Sequence, residues 1–286
     1  MKITLSRYAG FCDGVDRAFK IVEKIAADRK TARPIFVLGS LVHNSDVVAK
    51  VESWGVKKID LAGIRKAKSG TIGTLVITAH GVGPEIYALL KRKNISIVDT
   101  TCPRVIKVQR LAKIFLDRGT KIVIVGEKDH KEVRGIFGWA GRQAKIVETE
   151  AALKRLQLNP RKKIAVISQT TQSQDFLQRT TEYIRSKYPS AEIVDTICLT
   201  TQNRQGEVKR LADANDVVLV IGSPESANSS RLWEIAKARN PQSFFVERRS
   251  QLKKTWFKDA QQIGVTAGAS TPVWVIDSVV SYLRNL

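Results

Sequence analysis

The chain has 286 residues, with 48 Lys and Arg against 27 Asp and Glu, a formal net charge of +21. That length suffices for one large domain or two or three small ones, and 43% hydrophobic with 26% charged residues excludes wholesale disorder. No apolar run approaches the ~18 residues of a membrane span, and three cysteines are too few, and odd in number, for a secreted disulfide scaffold. Met1–Ser6 opens directly into a strand pattern without a signal-peptide core, so a cytoplasmic protein is expected. Basic clusters such as Lys91-Arg92-Lys93 and Arg161-Lys162-Lys163 are scattered along the whole chain. No RNA-recognition signature, zinc-finger spacing or aromatic ladder accompanies them. They read as solvated faces that suit an acidic protein partner or an anionic substrate, with a basic nucleic-acid-binding protein as the competing reading.

In chain order, a strand over Lys2–Gly10 leads to Cys12, a helix over Val15–Ala27 and a strand over Ile35–Gly39. A weaker strand, Val56–Asp60, precedes a strand over Thr74–Thr78 and the loop Ala79-His80-Gly81. The pattern then restarts. Ile97-Val98-Asp99-Thr100-Thr101-Cys102 is followed by a helix over Val105–Leu116 and strands over Ile122–Gly126, Ala144–Glu148 and Ile164–Ser168, ending at Gln169-Thr170-Thr171. It restarts once more at Ile193-Val194-Asp195-Thr196-Ile197-Cys198, with a helix over Asn203–Ala214 and strands over Val217–Gly222, Ser243–Glu247 and Gln262–Thr266. The last loop, Ala267-Gly268-Ala269-Ser270, opens a helix over Pro272–Leu286, which ends where another cysteine strand would begin. The strand at Lys2–Gly10 fills that place.

Three α/β units are therefore expected, over residues 1–95, 96–191 and 192–286, closed into a pseudo-threefold ring of small parallel sheets. Ligands bind at the carboxyl ends of parallel strands. Those ends carry Cys12, Cys102 and Cys198; then His43, His130 and Asn228 shortly after the middle glycines; then His80, Thr170 and Ser270. His80 and Thr170 both stand 68 residues past their cysteine, and Ser270 stands 72 past its own. Every cysteine and every histidine of the chain falls in such a loop. Three thiolates meeting on an axis suit a metal site. Zinc prefers four protein ligands, whereas three cysteines on a 4Fe–4S cluster would leave one iron open to substrate. The neutral His, Ser, Thr and Asn groups around them suit an anion such as phosphate.

The residues also resemble a known family. Gly10-Phe11-Cys12-Asp13-Gly14-Val15-Asp16-Arg17-Ala18, Thr101-Cys102-Pro103-Arg104-Val105, Gln169-Thr170-Thr171 and Ile197-Cys198 with Asn203-Arg204-Gln205 look like its signatures. So do Gly222-Ser223 with Asn228-Ser229 and Gly264-Val265-Thr266-Ala267-Gly268-Ala269-Ser270-Thr271-Pro272. The family is 4-hydroxy-3-methylbut-2-enyl diphosphate reductase, and the likeness runs in order through nearly the whole chain. It implies a three-domain trefoil around a 4Fe–4S cluster held by Cys12, Cys102 and Cys198. It implies reductive removal of the allylic hydroxyl to give isopentenyl and dimethylallyl diphosphates, with electrons from an acidic donor such as ferredoxin or flavodoxin. By the same resemblance His43, His80, Ser226, Asn228 and Ser270 would bind the diphosphate. His130, Thr170 and Thr171 would lie near the hydroxyl end, and Glu132 would supply protons. A non-redox hydro-lyase using the same open iron is the second reading.

The chain departs from the family pattern in two places. His-Pro-Glu-Val-Glu-Gly reads here His130-Lys131-Glu132-Val133-Arg134-Gly135, which adds positive charge beside the expected acid, and an earlier His of that loop is Glu127 here. Ser-Ser-Asn reads Ser226-Ala227-Asn228, which removes one hydroxyl from the expected diphosphate pocket.

Overall fold

The computed structural model describes residues 1–286. The elements are β1 (Lys2–Leu5), α1 (Asp13–Ala27), β2 (Ile35–Leu38), α2 (Ser45–Ser53), β3 (Lys57–Ile59), α3 (Leu61–Lys66), β4 (Thr74–Ile77), α4 (Pro84–Arg92) and β5 (Ser96–Asp99). The second run is α5 (Pro103–Asp117), β6 (Lys121–Val125), α6 (Lys131–Trp139), β7 (Lys145–Val147), α7 (Glu150–Lys154), β8 (Ile164–Ser168), α8 (Gln174–Lys187) and β9 (Glu192–Ile193). The third is α9 (Leu199–Ala214), β10 (Val217–Ile221), α10 (Ala227–Arg239), β11 (Ser243–Val246), β12 (Gln262–Ala267) and α11 (Val273–Arg284).

The protein is α/β, with three four-stranded sheets in the orders β3-β2-β4-β5, β7-β6-β8-β9 and β11-β10-β12-β1, every pairing parallel. The three orders are one pattern. The N-terminal strand β1 takes in the third sheet the edge place that β5 and β9 hold in the others, as the sequence repeat requires. Central strands are mostly apolar, and β10 and β8 are buried at every residue, because helices cover both faces of a parallel sheet. The cores lie between sheet and helices, as where Val123, Val125 and Val166 pack with Phe176 and Ile184, and where Ile122, Ile124 and Ile167 pack with Val108 and Phe115.

By compactness the chain forms two units. Unit 1 comprises Met1–Glu23, Ser40–Gly55 and Leu199–Leu286 and contains the third sheet; unit 2 comprises Lys24–Gly39 and Val56–Cys198 and contains the other two. No helix is long and apolar enough to cross a membrane. The strands that lead to cysteines are shorter than the sequence suggests. The expected run Lys2–Gly10 pairs only over Lys2–Leu5, after which Glu207 accepts from Ser6 Oγ and from the Arg7 backbone N–H and draws the chain out of the sheet.

Candidate active site

Each cysteine stands directly before a helix: Cys12 before α1, Cys102 as the N-cap of α5, Cys198 before α9. Local sequence sets this. In Asp99-Thr100-Thr101-Cys102 the Asp99 carboxylate accepts the backbone N–H of Thr101 at 2.8 Å, and the Thr100 hydroxyl donates to the Ile77 carbonyl at 2.6 Å. In Asp195-Thr196-Ile197-Cys198 the same two bonds recur, Ile197 N–H to Asp195 at 2.9 Å and Thr196 Oγ1 to the Ser168 carbonyl at 2.7 Å. The aspartate turns the chain, the threonine pins it to the neighbouring strand, and the cysteine follows.

Each cysteine N–H then donates to the loop after the third strand of its sheet: Cys12 to Ala269 O (3.3 Å), Cys102 to Ala79 O (3.0 Å), Cys198 to Thr170 O (2.9 Å). Further repeated bonds, Gly81 N–H to Thr78 O, Gln172 to Gln169 and Thr271 to Gly268, align the loops independently. Both sets make His80, Thr171 and Ser270 equivalent, which corrects the expected match of Thr170 with His80 and Ser270 by one residue. A second correction concerns the loops after the middle glycines. Gly39, Gly126 and Gly222 each donate to the neighbouring strand, and the N-caps that follow are Asn44, His130 and Ser226. Asn228 thus holds the place of Glu132, two residues past the cap, and not that of His130.

In unit 2, His130 caps α6 with Nδ1 accepting the Glu132 N–H at 3.2 Å, so the neutral ring carries its proton on Nε2. His80 lies edge-on to it, ring centroids 5.4 Å apart. Glu132 is 2% exposed and is one of two buried carboxylates in the chain. Thr170 donates to both its oxygens, backbone N–H to Oε1 at 2.6 Å and hydroxyl to Oε2 at 2.8 Å. Burial pushes the carboxyl up to about 7; the two Thr170 donors oppose that shift and the nearby Glu127 charge adds to it. The added cations do not pair with this acid. Arg134 binds Asp129 at 2.8 Å, and Arg134, Lys128 and Lys131 line a cleft of about 650 Å³.

In unit 1, Ser270 Oγ lies 3.2 Å from the His43 carbonyl and 3.3 Å from Ser226 Oγ. His43 Nδ1 lies 3.5 Å from the exposed Glu225 carboxylate. Ser226, Asn228 and Ser270 are all buried, and Asn228 Nδ2 has no hydrogen-bond partner. A buried amide donor without an acceptor is costly unless a ligand supplies one. Two residues that the sequence offers only within motifs, with no role, take part in the site. Gln169, 1% exposed, accepts the Glu127 N–H at 3.0 Å and donates to Thr171 Oγ1 at 2.9 Å. Arg204, 3% exposed, donates to Ala267 O at 3.0 Å and Gly10 O at 2.7 Å, bracing the approaches to Ser270 and Cys12. The available signal was a long polar side chain at a strand or helix position whose neighbours are buried.

The three cysteines are free thiols, each half-buried, and no three His, Cys, Asp or Glu side chains stand close enough to share one metal ion. A four-iron cluster is wider than one ion and takes its thiolates at a wider spacing, and an N-terminal helix end favours the charge of a bound thiolate. Thiols at helix N-terminal ends are ligands of the kind that such a cluster takes.

Repeated parallel α/β units whose strand-end loops carry thiols, buried anion donors and one buried acid define a ligand-binding enzyme of the α/β class. The chain belongs to the LytB family, whose model matches residues 3–284. It is 38% identical over 287 aligned positions to the 4-hydroxy-3-methylbut-2-enyl diphosphate reductase of Citrifermentans bemidjiense, covering 100% of this chain and 98% of the relative. It is 36% identical over 283 positions to the enzyme of that name from Symbiobacterium thermophilum, covering 96% and 94%. The solved E-1-hydroxy-2-methyl-but-2-enyl-4-diphosphate reductase from Plasmodium falciparum superposes with a TM-score of 0.92 at 29% identity, covering 100% of this chain and 87% of that one.

Proposed function

We propose that this protein reduces 4-hydroxy-3-methylbut-2-enyl diphosphate to isopentenyl and dimethylallyl diphosphates. Two electrons and two protons enter, the allylic C–O bond breaks, and the hydroxyl leaves as water. The observation that carries the reading is the cysteine that recurs in all three repeats, residues 1–95, 96–191 and 192–286, each time tied by its N–H to the loop that presents Ala79-His80, Thr170-Thr171 or Ala269-Ser270. Full-length likeness to enzymes named for this reaction supports it.

Cys12, Cys102 and Cys198 would hold a 4Fe–4S cluster, which when bound supplies electrons and an open Lewis-acidic iron. His43, His80, Ser226, Asn228 and Ser270 bind the diphosphate, with the buried Asn228 amide donating to it. His130, which carries its proton on Nε2 in the neutral form, orients the hydroxyl end together with Thr171. Glu132 titrates close to neutral pH and is tied through Oε2 to the Thr170 hydroxyl, so a relay, in which the hydroxyl gives its hydrogen to the leaving oxygen and takes the Glu132 proton in turn, would protonate the leaving group. An acidic ferredoxin or flavodoxin supplies the electrons.

The test is anaerobic turnover of the iron-loaded protein with this substrate, with and without dithionite. Both isoprenyl diphosphates should appear only with reductant. No product in either arm contradicts the reading, and substrate lost without reductant to a dehydrated or hydrated diphosphate supports the hydro-lyase instead.

A further inference from the structure

Unit 1 carries a second feature, outside the groups assigned above, in which aromatic rings, cations and a cleft come together. Phe11, the chain neighbour of Cys12, packs edge-on against Phe19 and Trp274, with ring centroids 5.6 and 6.3 Å away. Phe19 in turn packs against Trp274 at 6.1 Å and Trp54 at 5.0 Å. The cluster therefore runs without a break from the residue beside a candidate thiolate to the surface, where Trp274 is 42% exposed. An indole that open to water is unusual for so large an apolar group.

Trp274 also lines a cleft of about 660 Å³ together with Leu252, Tyr282, Arg248 and Arg249. Arg248 donates to Ser45 Oγ at 2.9 Å, and the Arg249 guanidinium lies 5.1 Å over the Tyr282 ring. Both arginines are exposed, and Asp46 is the one acidic side chain among the lining residues. An apolar centre beside exposed cations is the make-up of a small transient protein interface for an acidic partner.

We propose that this face docks the acidic one-electron carrier protein, and that Trp274 and Phe11 form the path by which its electrons reach the group held by Cys12. The inference rests on the reductase reading, which needs two electrons from outside and assigns no surface to receive them. Electron tunnelling weakens steeply across gaps, and packed rings leave none between the exposed indole and the Phe11–Cys12 peptide. At each docking the carrier is oxidised by one electron and the group held by Cys12 is reduced by one. Two dockings supply the pair consumed with two protons when the substrate hydroxyl leaves as water.

The experiment uses the iron-loaded protein with an acidic plant-type ferredoxin, oxidised for binding and reduced for turnover, and dithionite as the small reductant. Reversing the exposed pair, Arg248→Glu with Arg249→Glu, should weaken ferredoxin binding by about tenfold or more while dithionite-driven turnover stays within about twofold of native. Trp274→Leu keeps an apolar side chain on that face but removes the ring, so kcat should fall even at saturating ferredoxin, where any loss of affinity is overcome, and Trp274→Phe should restore most of it. Equal ferredoxin affinity of the native and charge-reversed proteins overturns the docking surface. A ferredoxin-driven kcat unchanged in Trp274→Leu overturns the path. Binding is read without turnover, so failure of the native protein to reduce substrate with dithionite would count against the reductase reading alone.

Discussion

At Glu132, burial and hydrogen bonding pull in opposite directions, and burial wins: the carboxyl titrates at about 7 against an ordinary 4.5. The folded protein therefore holds this proton more tightly than the unfolded chain does. Stability falls as pH rises from about 4.5 to about 7 and levels off above, a loss on the order of 3 kcal/mol. Glu132→Gln removes that slope. Its Oε1 can accept the Thr170 N–H and its Nε2 can donate to the Thr170 hydroxyl, so urea midpoints at pH 5 and pH 8 should differ less than in the native protein. Turnover should drop about 10²–10⁴-fold with iron content full, because the amide delivers no proton; near-native turnover would remove Glu132 from the mechanism. Asn228 makes a separate prediction. Losing a hydrogen bond to a charged group costs about 1.5–3 kcal/mol, so Asn228→Ala should weaken diphosphate binding by about tenfold to a hundredfold. Calorimetry with inorganic diphosphate reads this directly, and unchanged affinity would contradict the assignment. Changing any one of Cys12, Cys102 or Cys198 to Ser should cripple iron and sulfide uptake. Two variants that keep full content would break the ligand assignment.

The turns that place these residues were legible where composition and geometry coincide. Asp-Thr-x-Cys reads off the sequence twice, and its two side-chain bonds recur in the structure. Register after those turns was less legible. Cys12 and Gly39 are 27 residues apart whereas Cys102 and Gly126 are 24 apart, and a compensating difference further on makes His80 and Thr170 fall at one offset. Loop length varies at little cost in free energy, so counting residues misaligned the loops, and only the repeated backbone bonds set Thr171 beside His80 in the pattern. Glu132 could be picked out through the family motif that it shares, but its burial against Thr170 could not, because Lys131 and Arg134 beside it suggest a solvated surface. Packing of α10 was equally hidden. Ser229 fits so closely that a Cβ on Gly268 would lie 1.9 Å from its Oγ, and one on Gly222 would lie 2.4 Å from it. Gly268→Ala should therefore cost about 1–3 kcal/mol and push outward the helix that carries Asn228. Thermal melts should show the loss, diphosphate affinity should fall with it, and Ser229→Ala in the same chain should recover part of both. Native stability and affinity in Gly268→Ala would show that this contact does not set the helix position.

Across the whole molecule the net charge of +21 acts at longer range than any one contact. It should draw an acidic carrier from solution, and salt should weaken that pull as the Debye length shrinks from about 30 Å at 0.01 M to about 10 Å at 0.1 M. Ferredoxin-driven turnover should fall over that range while turnover driven by a small uncharged reductant holds steady, and equal responses would contradict steering. The recurrent cysteine and the buried acid would serve reduction or dehydration of the substrate, and the count of electrons separates the two. The direct measurement is the number of electrons consumed per product, by anaerobic titration of the iron-loaded protein and 4-hydroxy-3-methylbut-2-enyl diphosphate with a spectroscopically counted reductant. Two one-electron equivalents should be oxidised for each isopentenyl or dimethylallyl diphosphate formed, since the balanced reaction takes two electrons and two protons and releases water. Substrate converted with no reductant oxidised, or reductant oxidised with no isoprenyl diphosphate formed, would contradict it.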